Sequence, residues 1–570
     1  MPIVSVMSSR ARRIQAVLLT LIVLFSLPLV VGSIRNIMRN LSHKRSVPPP
    51  AAQEPPVPPY AETVPIPDRP AVSVPFAAPD LEPERPSADP ETPDDTPLPR
   101  DAIPDEQVLR FFNAADQQTF LALARDAGLD ILDQSDWLHA VRVRVEDKQA
   151  FRRLLAKAPV PVEQGFNYRV RTPEQSEPPL MPPDMPYLGF GDRALVWLGA
   201  PADNSAWGQG LTVALLDTGL PPHPALREER IARINLLPDS ETEEQDAWHG
   251  AAVASLLAGA HPTLSGVAPA ASLLSVRVLD NNGHGDTFTL AKGIAEAVDR
   301  GAKVVNMALG GYGDCAFLKN AVDYAADNDV LLVAAVGNDG ISQLLFPARY
   351  ESVLAVAGVD AQERHLHFSN RGPQVDIAAP AIALQSAWEY DEWAYFTGTS
   401  AAAPLVSGAA AWLRAENPAL TALETAELLR AYANDVGPAG PDPYHGAGIL
   451  DLRRLAERDR PGIFDIAVRP PHLEPAPPDA PTLAIAVQAQ NTGTEPLPAV
   501  EVRIEFDGQT ETSLFYNVAV GQTVTRRIHI PAARIARSEH VLLDIVASLP
   551  GLTDTYPANN RRTARIALRE

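Results

Sequence analysis

An α/β fold, a parallel sheet with helices on both faces, is predicted for the middle of this chain, preceded by a ferredoxin-like α+β module and followed by an all-β sandwich. Three observations predict it. Between residues 195 and 458, aliphatic runs at 211–216, 274–278, 304–309, 330–336 and 353–359 alternate with helical patterns at 249–259, 287–300, 316–327, 400–414 and 421–433. Unbroken aliphatic strands alternating with helices require a parallel sheet covered on both sides. Ahead of them, residues 105–171 read β-α-β-β-α-β, the split βαβ order. Behind them, residues 462–570 hold short alternating runs separated by turns such as Asn491-Thr492-Gly493 and Asp507-Gly508, the pattern of a sandwich of immunoglobulin size.

The chain has 570 residues, too many for one ordinary core. Arg10, Arg12 and Arg13 precede an apolar run from Ala16 to Ile34, close to the length of about 20 residues that spans a bilayer. Residues 1–47 therefore read as a signal peptide, cut near Gly32 or Ser33, or as a signal anchor. Arg35, Arg39, Lys44 and Arg45 follow at once and disfavour cleavage just upstream. Residues 48–104 are Pro-rich and acidic with few large apolar side chains, so they form a linker without a core. At about 3.1 Å per residue it could reach more than 100 Å.

In the α+β module, Val108 to Phe112 is the first strand and Ala114 to Ala127 an amphipathic helix. Leu129 to Leu132 and His139 to Val145 follow as strands, Asp147 to Ala156 as a helix and Tyr168 to Val170 as the last strand.

A net charge of -22 argues against nucleic acid or an anionic membrane surface as a partner. The one cysteine, Cys315, excludes intrachain disulfides. No HExxH, paired CxxC or phosphate loop is present, so metalloprotease and NTPase readings have no support and no metal site is assigned.

Chemistry concentrates in three segments. Asp217 ends the run Leu211 to Leu216, His249 opens a small-residue helix, and Ser400 lies in Gly398-Thr399-Ser400-Ala401-Ala402-Ala403-Pro404. A hydroxyl nucleophile needs an imidazole to take its proton, and the imidazole needs a carboxylate to fix its tautomer. One Asp-Thr-Gly or Gly-Thr-Ser arises easily by chance; three such segments in this order and spacing do not.

The order Asp217, His249, Ser400 resembles that of the subtilisin-like serine proteases (peptidase family S8). The resemblance spans the 195–458 segment. It implies that Asn338, after the strand ending at Val336-Gly337, donates to the oxyanion together with the Ser400 backbone N–H. Losing such a donor costs about 10²–10³ in turnover, a magnitude established on subtilisin itself. It also implies that Leu309, Gly310 and Gly311 pair with a substrate backbone and wall the S1 pocket, the slot for the residue before the cleaved bond (P1). Aligned by Phe346-Pro347, Leu345 is placed at the base of that pocket, which favours smaller or apolar P1 residues. This chain departs from the family with Ala251 and Ala252 after the His-Gly, Ala308 before Leu-Gly, and Ala401 after the nucleophile.

The α+β module resembles the propeptide of these proteases, so it is expected to act as an intramolecular inhibitor, with cleavage in the junction 172–194. The C-terminal sandwich resembles bacterial cell-adhesion-related (CARDB) domains. The expected protein is an exported serine endopeptidase made as a zymogen. Its location is the cell envelope, as a periplasmic-side anchored precursor, or the secreted fraction. Its partners are a protein or peptide substrate and, before maturation, a membrane through the N-terminal segment. No cofactor is expected; structural calcium is common in the family, but no ligand set is identified, and oligomeric state is open. The rival readings are a dedicated processing protease with one partner and an envelope binding or adhesion protein working through the sandwich.

Overall fold

The computed structural model describes residues 97–173, 187–237, 247–477, 481–531 and 540–567, all within the compact unit Asp89–Glu570. The N-terminal apolar run, the Pro-rich segment to residue 96 and most of the expected junction lie outside the described residues.

The first region contains β1 (Ala102–Arg110), α1 (Ala114–Asp126), β2 (Asp130–Ser135), β3 (Ala140–Arg144), α2 (Lys148–Lys157) and β4 (Glu163–Arg171). Its antiparallel sheet runs β4-β1-β3-β2, the ferredoxin-like order. Asn113 accepts the Asp116 N–H, and Asp147 accepts those of Gln149 and Ala150, capping the two helices. Phe111, Phe120, Leu121, Val141, Val143 and Phe151 bury together. β1 begins six residues before the expected Val108 start. The reason is local: the β1–β4 register shifts between Ala102 and Gln107, and Asp105 takes a φ of 59°. A bulge breaks the period-2 pattern that marks a strand in sequence.

The central region contains β5 (Thr212–Asp217), β6 (Ile231–Asn235), the small pair β7 (Ala260–His261) and β8 (Leu264–Ser265), β9 (Ser272–Arg277) and β10 (His284–Asp286). It continues with β11 (Val304–Met307), β12 (Leu331–Ala335), β13 (Val353–Val359), β14 (Ile377–Pro380), and the hairpin β15 (Leu384–Ala387) with β16 (Trp393–Phe396). Its helices are α3 (Ala194–Trp197), α4 (Trp248–Ala258), α5 (Thr287–Asp299), α6 (Ala316–Asp327), α7 (Thr399–Glu416), α8 (Ala422–Ala431) and α9 (Leu452–Glu457). Seven strands pair in parallel in the order β14-β13-β12-β11-β5-β9-β6. Alternate strand residues go to opposite faces: Val213, Leu215 and Val333 pack under α4 and α7, while Ala214, Leu216 and Leu332 pack under α5 and α6. The edge strands β6 and β14 escape the sequence pattern. The first mixes Arg233 and Asn235 into its run, and the second is only Ile-Ala-Ala-Pro.

The C-terminal region contains β17 (Ile466–Val468), β18 (His472–Leu473), β19 (Thr482–Asn491), β20 (Leu497–Phe506), β21 (Gln509–Val518), β22 (Thr523–Pro531), β23 (His540–Ser548) and β24 (Arg561–Ala567). Two four-stranded antiparallel sheets form, one of β17, β18, β19 and β22, the other in the order β21-β20-β23-β24. In β20, Val500, Val502, Ile504 and Phe506 face inward while Arg503 and Glu505 face out.

A buried polar joint ties this sandwich to the central region. Gln490 Oε1 accepts from Arg469 Nε at 3.1 Å and from the Asp435 N–H at 3.0 Å, and Arg469 Nη2 also donates to Asn434 Oδ1 at 2.6 Å. Arg469 is 5% exposed, and burial pulls its guanidinium pKa down. A buried cation stripped of an acceptor is costly. Gln490→Leu is therefore expected to lower stability by about 2–3 kcal/mol, read as a fall in the urea midpoint at unchanged slope.

Candidate active site

The parallel strands bring the predicted residues to one end of the sheet, the carboxyl end where α/β folds expose functional groups. Asp217 is the last residue of β5 and is 1% exposed. Its Oδ1 lies 2.7 Å from His249 Nδ1 and also accepts the Thr218 N–H at 2.7 Å. That bond puts the His249 proton on Nδ1 and leaves Nε2 as the acceptor. Nε2 is buried and has no hydrogen-bond partner among the described residues. The Phe396 ring stands edge-on to His249 at 5.3 Å and limits its tilt.

His249 is held there by the start of α4. Gly250 donates to Thr218 Oγ1 at 3.2 Å, and a Cβ at position 250 would stand 1.9 Å from the Gly219 carbonyl oxygen. Only glycine lets the helix start close this tightly on the loop after β5.

Ser400 is the second residue of α7 and is 2% exposed. Its backbone N–H belongs to the first helical turn, where no intrahelical acceptor exists. Its Oγ donates to the Ala308 carbonyl at 3.3 Å. Asn338 sits beside it. Asn338 Oδ1 accepts both the Thr399 N–H and Thr399 Oγ1 at 2.9 Å, so its Nδ2 faces the cleft. Gly398 takes a φ of 134°, and a Cβ there would meet Asn338 Nδ2 at 2.8 Å. The turn carrying Asn338 is fixed by Asn370, which donates to the Val336 carbonyl and accepts from the Asp339 and Ile341 N–H groups.

Gly310 and Gly311 form the wall after β11. Gly310 exchanges two 2.9 Å main-chain bonds with Arg171, so the end of β4 pairs against this wall. The other side of β4 pairs with β10, His284 opposite Arg171 and Asp286 opposite Arg169. Thr172 N–H donates to the Gly283 carbonyl at 2.9 Å, and Asn338 Nδ2 donates to the Pro173 carbonyl at 3.4 Å. Residues 169–173 thus lie as a strand between two walls, with the Pro173 carbonyl facing Asn338. Leu345 is buried between Gly310 and Gly337.

Sequence reasoning missed the β10 wall and the roles of Thr399 and Asn370. The glycines of Gly283-His284-Gly285 were its visible trace, as marks of close backbone approach. His223 is buried, accepting the Ala225 N–H at Nδ1 and lying 3.1 Å from the Glu392 carbonyl at Nε2, so it braces a loop. Among the described residues, no group of three or more His, Cys, Asp or Glu side chains could hold a metal ion.

The sequence profile of the subtilase family of S8 peptidases matches residues 208–448. The chain belongs to the subtilase family. It is a serine endopeptidase, acting on protein or peptide substrates. It is 35% identical to subtilisin BL of Lederbergia lenta over 246 residues, 43% of this chain and 90% of that protein. It is 34% identical to a thermostable alkaline protease of Halalkalibacterium halodurans over 253 residues, 44% of this chain and 69% of that one. Similarity to the minor extracellular protease Epr of Bacillus subtilis is 33% over 259 residues, 44% of this chain and 40% of Epr. These matches cover the subtilase region and leave the flanking regions unnamed.

Gly250→Ala is expected to push His249 off Asp217, because the added methyl cannot fit at 1.9 Å. A displacement near 1 Å at a reacting group costs about 10²-fold; the check is the rate of fluorophosphonate labelling at Ser400 in folded protein.

Proposed function

We propose that the chain is an exported zymogen whose N-terminal α+β region is an intramolecular inhibitor and whose Ser400 opens its own processing. Ser400 Oγ turns from Ala308 to His249 Nε2, gives up its proton there and attacks the scissile carbonyl carbon. Asp217 holds the imidazole tautomer and offsets the imidazolium charge. Asn338 Nδ2 and the Ser400 N–H receive the oxyanion. His249 then passes its proton to the leaving amine as the C–N bond breaks. Water, deprotonated by the same imidazole, releases the acid from Ser400.

The observation that carries this reading is the strand 169–173, bonded to both walls with the Pro173 carbonyl on Asn338. It is substrate geometry supplied by the chain itself, and it blocks the cleft to anything else. The docking has a charged second layer. Arg142 bridges Glu106 at 2.8 Å and Asp286 at 3.0 Å, and Lys292 bonds Asp133 at 2.8 Å. Asn167 Oδ1 accepts from Thr287 Oγ1 at 3.0 Å and from the Phe288 N–H, at the start of α5.

Cutting after the α+β region separates the subtilase region and its sandwich from the N-terminal apolar run. On this reading an anchored precursor yields a released enzyme. Epr, one of the matched relatives, is named as extracellular, in keeping with export. The sandwich, with its likeness to CARDB modules, is a rigid appendage through the Arg469–Gln490 joint.

The test is intact mass with N-terminal sequencing of the exported protein, wild type beside Ser400→Ala. Wild type should lose everything up to a cut in 172–194, and the variant should stay joined there. Two full-length products, or identical trimming in both, would contradict self-processing.

A further inference from the structure

The slot that should receive the P1 side chain is closed. It lies between the backbone at Gly310 and the backbone at Gly337. Leu345, 2% exposed, fills the gap. A Cβ on Gly310 would meet Leu345 Cβ at 2.7 Å and Cδ1 at 3.2 Å; one on Gly337 would meet Leu345 Cγ at 2.8 Å and Cδ1 at 2.9 Å. The segment carrying it is bonded to both walls. Leu345 N–H donates to the Val336 carbonyl at 3.1 Å, and Phe346 exchanges main-chain bonds with Gly311 at 2.8 and 3.0 Å. This ladder holds the main chain of Leu345 in place.

The chain's own P1 residue fits that closure. Arg171 opposes Gly310 as a doubly bonded antiparallel pair. The next such pair sets residue 173 against Ala308, whose carbonyl would take the N–H of residue 173. Residue 173 is proline and has no N–H. With the serine at rest the Ala308 carbonyl instead accepts Ser400 Oγ at 3.3 Å, so the docked proline does not strand it before the attack. Side chains two apart share a strand face. Arg171 reaches Asp339 at 3.7 Å, and Pro173, on the same strand face, is buried.

We infer that Leu345 closes the P1 slot so that this enzyme cuts after proline, first behind its own Pro173. The inference rests on the Ser400 reading above and narrows the substrate class to segments with proline just before the cut bond. The bond broken is the peptide bond after Pro173; its carbonyl carbon passes to Ser400 Oγ, the proton goes to the departing amine, and water completes the hydrolysis.

The test uses the wild-type protein, with active Ser400 counted by fluorophosphonate titration, on fluorogenic amides of Val-Arg-Thr-Pro, the chain's own residues 170–173, and of Val-Arg-Thr-Phe. The Pro peptide should exceed the Phe peptide in kcat/KM by about tenfold or more, a scale set by pocket fit. Leu345→Gly should raise turnover of the Phe peptide selectively. Equal or faster cutting of the Phe peptide by wild type overturns the inference, as does no cutting of the Pro peptide by protein that labels. Failure of Ser400 to label defeats the Ser400 reading and this inference with it, whereas labelling with the wrong peptide preference defeats this inference alone.

Discussion

Main-chain pairing of residues 169–173 between β10 and Gly310 is the contact on which the described arrangement depends. A strand end exposes two rows of N–H and C=O groups, and leaving them unpaired in a buried cleft is costly. Here both rows are met, by His284 to Asp286 on one side and Gly310 on the other. The walls are glycine where the approach is closest. A Cβ at Gly311 would stand 2.3 Å from the Arg169 carbonyl oxygen, and one at Gly283 would stand 2.3 Å from Thr172 Oγ1. A wall this bare binds any extended backbone, so selectivity has to come from the side-chain slots.

The α+β region makes that pairing durable. Its sheet is extended by β10, giving the continuous order β10-β4-β1-β3-β2. The Arg142 bridge between Glu106 and Asp286 is mostly withdrawn from water, and removing one partner of such a network costs more than the network contributes. Asp286 also caps α5 by accepting the Thr289 N–H at 2.9 Å. One carboxylate thus serves both the central region and the α+β region docked on it. On the proposed zymogen reading, a cut leaves the helix cap in place, and the interregional bridge is what can be lost.

Much of this was legible in the sequence because it rests on local rules. Alternating aliphatic runs and helical patterns gave the sheet and its helices, a strand end gave Asp217, and the family resemblance gave Asn338. What stayed hidden were contacts between distant segments. Nothing local marks that Asn338 Oδ1 is held by Thr399, that Asn370 ties the turn after β12, or that Gly283 faces Thr172. The bulge at Asp105 concealed the start of β1, and the short edge strands β6 and β14 lacked the length to show a period. Leu345 was placed at the slot by family alignment, but its seal against both Gly310 and Gly337 is a matter of packing.

The central claim is that the chain's own residues 171 and 172 are main-chain partners of the catalytic walls. Hydrogen–deuterium exchange on the full-length Ser400→Ala protein tests it directly, since that variant keeps the bond after Pro173 intact. The Arg171 and Thr172 amides, bonded to the Gly310 and Gly283 carbonyls, should exchange as slowly as those of β1. Exchange at the rate of an unstructured peptide, with β1 still protected, would contradict the account.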